Sequence, residues 1–225
     1  PVGLTVTDTT KISLANGVKG LVYGRAGIGK TRLMATLPSP IIVSAEGGLL
    51  SLQDKAVPAI EIKNLDDLNR THDYLAGPGG NAYHSIGIDS ISEIAEKVLA
   101  NAKAGTKDGR QAYGILADQM WEVIRALRDI KGKQVFMTAK AEYIKDENGV
   151  TRWGPMMPGK TLTQGLPYFF DEVFHLGKYR GAGGEFTALQ TSVDMQYEGK
   201  DRSGKLEFFE YPDLTNVLNK IYGVK

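Results

Sequence analysis

Apolar residues fall along this chain in two rhythms. Short, nearly unbroken runs such as Gly20-Leu21-Val22-Tyr23, Pro40-Ile41-Ile42-Val43-Ser44-Ala45 and Gln134-Val135-Phe136-Met137-Thr138-Ala139 have the length of strands buried on both faces. Residues 83–89 form another such run, interrupted by Ser85 and Gly87, and residues 59–62 a shorter one. Between them the period lengthens to that of helices. Residues 32–37 form a helical stretch stopped by Pro38, and Asn64 caps a second helix with an acidic first turn that runs to about Leu75. Ser90-x-x-Glu93 is a capping box ahead of a stripe made of Ile91, Ile94, Ala95, Val98, Leu99 and Ala102. Ile115, Leu116, Met120, Val123, Ile124, Leu127 and Ile130 form the stripe of a further helix. Strands alternating with helices in this way predict an α/β fold with a mostly parallel sheet flanked by helices.

Past Lys140 the texture becomes that of β structure. Residues 142–145 and 150–153 flank Asp146-Glu147-Asn148-Gly149, and Asn-Gly between alternating runs predicts a hairpin. Residues 173–176, 186–190 and 206–210 predict C-terminal antiparallel strands, and residues 213–222 a closing helix.

Gly24-Arg25-Ala26-Gly27-Ile28-Gly29-Lys30-Thr31 is a complete G-x-x-x-x-G-K-[ST] loop, with a strand before it and a helix, beginning near Arg32, after it. Such a loop aims backbone N–H groups at a triphosphate, Lys30 reaches its β/γ oxygens, and the Thr31 hydroxyl is placed to hold Mg²⁺. ATP and Mg²⁺ are therefore the expected ligands, and residues 24–32 the expected nucleotide contacts. Asp89 ends a buried strand after the phosphate loop, which favours a carboxylate holding Mg²⁺, while the plainer reading, a residue preceding the Ser90 cap, is compatible with it. Glu46, at the tip of the strand after the loop, is the candidate to orient an attacking water; the plainer reading is a loop carboxylate before Gly47-Gly48. With Lys30 and Asp89 it completes the expected catalytic set. Gly159-Lys160-Thr161 has half of a phosphate loop and is given no such role.

Composition narrows the classes further. The chain has 225 residues, 42% hydrophobic and 24% charged, and a net charge of +1, so no global field announces a nucleic-acid binder. It has no cysteine and only three histidines, His72, His84 and His175, which excludes disulfides and leaves a zinc site little to build on. No apolar run suits a bilayer and the first residues lack a targeting pattern, so no membrane role is expected and a cytoplasmic location is. One domain is expected, with residues 1–18 as an extended arm, 19–140 as the nucleotide-binding core and 141–225 as the hairpin and C-terminal β extension.

The strands ending at Glu46 and Asp89-Ser90 resemble the catalytic-Glu and Walker-B strands of RecA-like ATPases over about residues 19–140. Pro158-Gly159-Lys160, Phe170-Asp171-Glu172-Val173 and Lys200-Asp201-Arg202-Ser203-Gly204 further resemble the C-terminal signatures of compact phage-encoded members, among them core-only single-strand annealing proteins. The resemblance implies an oligomer, a ring or a filament, whose sites are completed by basic residues from a neighbour; Lys200 and Arg202 are the candidates, or else a solvated turn. Lys140 stands where such proteins usually carry a polar sensor and departs from that pattern. The resemblance also places two DNA-binding loops at residues 104–110 and 142–163. There Lys107, Arg110, Lys145 and Arg152 would meet phosphates and Tyr143 and Trp153 would stack bases, although a basic hairpin is also an ordinary solvated edge.

The reading that follows is an ATP hydrolase, slow and DNA-linked, that acts on single-stranded DNA in phage or prophage recombination inside a bacterial host, with a single-stranded DNA-binding protein as a further partner. Two other readings use the same loop. One is an accessory ATPase, a helicase loader or assembly factor; the other is a small-molecule phosphotransferase, which the absence of an arginine-rich lid disfavours.

Overall fold

The computed structural model describes residues 8–9, 16–145 and 149–224; most of the expected N-terminal arm and the hairpin turn at residues 146–148 lie outside the described residues. The chain runs β1 (Lys19–Gly24), α1 (Lys30–Met34), β2 (Pro40–Ser44), β3 (Ala59–Glu61), α2 (Leu65–Ala76), β4 (Ser85–Asp89), α3 (Ile91–Gly105) and α4 (Gly109–Arg128). It continues through β5 (Gln134–Lys145), β6 (Thr151–Met156), α5 (Lys160–Gly165), β7 (Glu172–Gly181), β8 (Gly184–Gln190), β9 (Lys200–Asp201), β10 (Phe209–Glu210) and α6 (Leu214–Tyr222).

The described strands make one sheet in the order β10-β8-β7-β1-β5-β4-β2-β3, with β6 added to β5 and β9 to β7. Strands β7, β1, β5, β4, β2 and β3 are mutually parallel, while β6, β8, β9 and β10 pair antiparallel. The expected architecture, a mostly parallel sheet extended by antiparallel strands, is the one the chain adopts, except that β7, expected among the antiparallel strands, pairs parallel with β1. Burial on both faces explains the apolar runs. Leu21, Tyr23, Val135, Met137 and Ala139 face a core shared with α2, α3 and α4, whereas Val22 and Phe136 face a second core closed by α1 and α6. The expected hairpin is present, with Tyr143 opposite Trp153 and Lys145 opposite Thr151. Side chains of Asn64, Ser90 and Asp213 accept the N–H bonds of Asp67, Glu93 and Asn216, so those helix starts are the ones their capping residues announce. No helix among the described residues is long and apolar enough to cross a membrane.

Some expectations are corrected. The loop expected over residues 104–110 shrinks to 106–108: α3 continues to Gly105, α4 begins at Gly109, and Arg110 donates its N–H to the capping Asp108 at 2.8 Å. Residues 206–210 contribute only Phe209–Glu210 as strand, because the Asp201 carboxylate takes the N–H groups of Gly204 and Leu206 and holds that stretch in a turn. In the aromatic run of residues 168–170, Tyr168 is 75% exposed whereas Phe170 is fully buried. Trp121 is stacked on Phe169 with ring centroids 4.7 Å apart.

His175 on β7 is buried, stacked on Tyr197 at 4.0 Å, with its Nδ1 2.6 Å from the Tyr179 hydroxyl. Burial pulls its pKa from an ordinary 6.5 down to about 4, against a weaker upward pull from Asp194. The unfolded chain therefore takes a proton that the native ring refuses, and stability falls as pH drops from 6.5 toward 4. His175→Phe is expected to flatten the melting temperature across that window; an unchanged slope would show that another group controls it.

Candidate functional site

Three parallel strands, β1, β2 and β4, deliver the site residues to their shared C-terminal ends, where ligands bind in open α/β sheets. The phosphate loop leaves β1 at Gly24, where a side chain would meet the Leu176 carbonyl oxygen at 2.6 Å. Gly27 and Gly29 answer a different need. Their φ angles of 74° and 107° lie in the left-handed region, and nothing crowds either Cα, so backbone conformation selects glycine there. Lys30 opens α1 and turns its ammonium back into the loop, donating to the carbonyls of Gly24 at 2.9 Å and Arg25 at 3.1 Å. Burial lowers its pKa while Asp89 and Glu46 oppose that shift, so both carboxylates act on the same point.

β5 lies between β1 and β4, so Asp89 reaches the loop across a strand. Thr31 Oγ1 donates to Asp89 Oδ2 at 2.5 Å, and Thr138 Oγ1, from β5, donates to Oδ1 at 2.5 Å. Asp89 is 2% exposed, and these two hydroxyls compensate a carboxylate that burial would otherwise penalise. Thr31 and Asp89 are hard oxygen donors in contact, the set that suits Mg²⁺ when phosphates and water supply the remaining ligands. Bound there, the ion would neutralise charge on the β/γ oxygens. Among the described residues no group of three or more His, Cys, Asp or Glu gathers to hold a metal without phosphate.

Glu46 stands two residues beyond β2 and accepts a hydrogen bond from Ser90 Oγ at 2.5 Å on Oε1, which brings it beside the Asp89 strand. Lys140, opposite Gly24 in the β1–β5 register, pairs with Glu96 at 2.6 Å and Glu93 at 3.1 Å. Burial works against its charge, but these bonds raise its pKa overall. Arg32, expected at the nucleotide, extends along the surface to Asp54 at 2.9 Å and the Ser51 carbonyl at 2.8 Å.

The other expected residues separate into two places. Tyr143, Lys145, Arg152 and Trp153 share the β5–β6 hairpin, where Tyr143 meets Trp153 edge to face at 5.0 Å. Trp153 also lines a cleft of about 470 Å³ bounded by the phosphate loop at Arg25, Ala26 and Gly27 and by His175 and Tyr197. Lys107 and Arg110 are exposed at the α3–α4 junction. Lys200 and Arg202, by contrast, sit level with the start of β7, at the end of the sheet away from the phosphate loop. There Lys200 Nζ donates to the Phe170 carbonyl at 2.6 Å and Arg202 pairs with Asp171 at 2.8 Å. Thr138 and Ser90 are site residues that the pattern of the sequence did not single out for these contacts. Thr138 carried one weak signal, a hydroxyl inside an otherwise apolar strand.

A profile of the AAA domain family, designated AAA_24, matches residues 16–203. No curated protein matches the chain. Among solved structures, a KaiC-like protein from the hyperthermophilic archaeon Pyrococcus horikoshii is similar over 77% of this chain and 77% of its own, with 12% identity and a TM-score of 0.42. With the family match covering well over half of its length, the chain belongs to the AAA domain family of P-loop ATPases.

Proposed function

We propose that this protein hydrolyses ATP with Mg²⁺ and couples that cycle to single-stranded DNA, as a self-assembling annealing or recombination ATPase of the phage type. In the hydrolytic step a water held by Glu46 attacks the γ-phosphorus. Its proton passes to the carboxylate as the bond to the ADP oxygen breaks, and Lys30 offsets the charge that develops on the β/γ oxygens. The observation that carries the coupling is Trp153: one side chain belongs both to the basic, aromatic hairpin and to the cleft bordering the phosphate loop. A strand of DNA stacking on Tyr143 and Trp153 would press on the loop that holds the phosphates, and nucleotide would press back. For Lys200 and Arg202 to act on a neighbour's nucleotide, their present pairings must be exchanged for a contact between subunits. That exchange is part of the proposal.

Phosphate release measured with and without oligonucleotide tests the reading. Single-stranded DNA is expected to raise turnover several-fold in the wild type, with the stimulation lost in Trp153→Ala and all turnover lost in Lys30→Ala. Turnover indifferent to DNA would favour the accessory-ATPase reading, and a phosphorylated small molecule among the products would favour a phosphotransferase.

A further inference from the structure

We infer that Ser90 and Lys97 are positioning residues that clamp Glu46 in its working place from helix α3; the inference rests on the reading of Glu46 as the water-orienting base. Glu46 is exposed and lies in a loop followed by Gly47 and Gly48, with Gly47 at a φ of 66°. A side chain built at either glycine would meet nothing within 4 Å, so nothing packs over the loop at these positions. A carboxylate on such a tip needs to be held from elsewhere.

The hold comes from below. Ala45 donates its N–H to the Asp89 carbonyl at 2.8 Å, which ties the base of the loop to the metal-site strand. The Ala45 carbonyl accepts a hydrogen bond from Lys97 Nζ at 2.6 Å, and the same ammonium reaches the Ile62 carbonyl at 3.2 Å. Both ends of the residue before Glu46 are thereby fixed. Ser90, fully buried, then fixes the side chain. Its hydroxyl accepts the Glu93 N–H at 3.3 Å, so its single proton is directed to Glu46 Oε1 at 2.5 Å. Ser90 caps α3 and Lys97 stands seven residues on, within the same helix, so a single rigid element and its cap set both contacts. One oxygen of Glu46 is occupied by the clamp and the other is left for water.

The test compares wild type with Ser90→Ala and Lys97→Met, each alone and combined with Glu46→Gln. It measures kcat and KM for ATP, ATP affinity, and amide hydrogen exchange in the peptide spanning residues 44–50. Each single variant is expected to lose about tenfold in kcat with KM changed less than about twofold, since misplacement of a catalytic group costs rate rather than binding. Exchange in the loop should quicken in both, and neither should lower turnover further once Glu46 is Gln. Ser90→Ala also removes a helix cap, so Lys97→Met, which leaves the cap in place, carries the same prediction independently.

If Glu46→Gln turns over like wild type, the base assignment fails and the clamp has no catalytic object. If Glu46→Gln is inactive while both clamp variants keep wild-type kcat and loop exchange, the base stands and the positioning inference is overturned. Losses that multiply with that of Glu46→Gln would overturn it as well, because they would show an action independent of Glu46.

Discussion

Glu46→Gln is expected to lower ATP turnover by about 10²- to 10³-fold while leaving ATP affinity within about twofold, the loss assigned to removal of a general base. The substitution keeps the side chain's length and an oxygen able to accept the Ser90 hydroxyl, so the loop and its 2.5 Å contact survive. What goes is the capacity to take a proton. In the proposed site the phosphates would be held by residues 24–31 and the metal by Thr31 and Asp89, none of which the change touches. The pairing of slow phosphate release with unimpaired binding of a fluorescent ATP analogue therefore reports on the base alone. Turnover within about threefold of wild type would remove Glu46 from the mechanism and point to a water oriented by other groups.

The second large effect concerns stability, at the opposite end of the sheet. Glu172 opens β7, is 1% exposed, and faces Asp201 across the β7–β9 pairing. Burial, with Asp201 adding to it, pushes its carboxyl from an ordinary 4.5 up to about 8, against a backbone N–H from Ser203 that favours the charge. The native state thus keeps a proton that the unfolded chain releases above 4.5. The stability held by that proton is complete below pH 4.5 and is lost as pH rises toward 8. Glu172→Gln has no proton to lose. It is expected to be more stable than wild type by about 2 kcal/mol or more at pH 8, with little difference at pH 4.5, as read by urea or thermal unfolding. Equal destabilisation at both values would show that the carboxyl is satisfied in its charged form.

These two residues also mark how far local chemistry reaches along this chain. The phosphate loop was legible because its glycines, lysine and threonine act within eight consecutive positions, and the backbone conformation they need is a property of those residues. The capped starts at Asn64 and Ser90, the helix beginning at Asp213 and the presence of the hairpin were legible for the same reason. Asp89 and Glu46 could be picked out as acids at strand ends, since an apolar run that stops on a carboxylate is itself a local pattern. Short segments whose own side chains compete for the backbone were read less well, as the turn around Asp201 shows.

Sequence was thus sufficient for the alternation of strands and helices, the nucleotide loop and the acids beside it, because each depends on neighbours a few residues away. The order of the strands was not written there, and with it went every contact that spans it. β5 enters the sheet between β1 and β4, and only that insertion sets Thr138 against Asp89 and Lys140 against Glu96. The same packing puts Ser90 on Glu46, 44 positions earlier, and carries Lys200 and Arg202 to the end of the sheet away from the phosphates. Such pairings are chosen by the burial of two sheet faces at once, a condition on the whole chain that no short stretch of it can state.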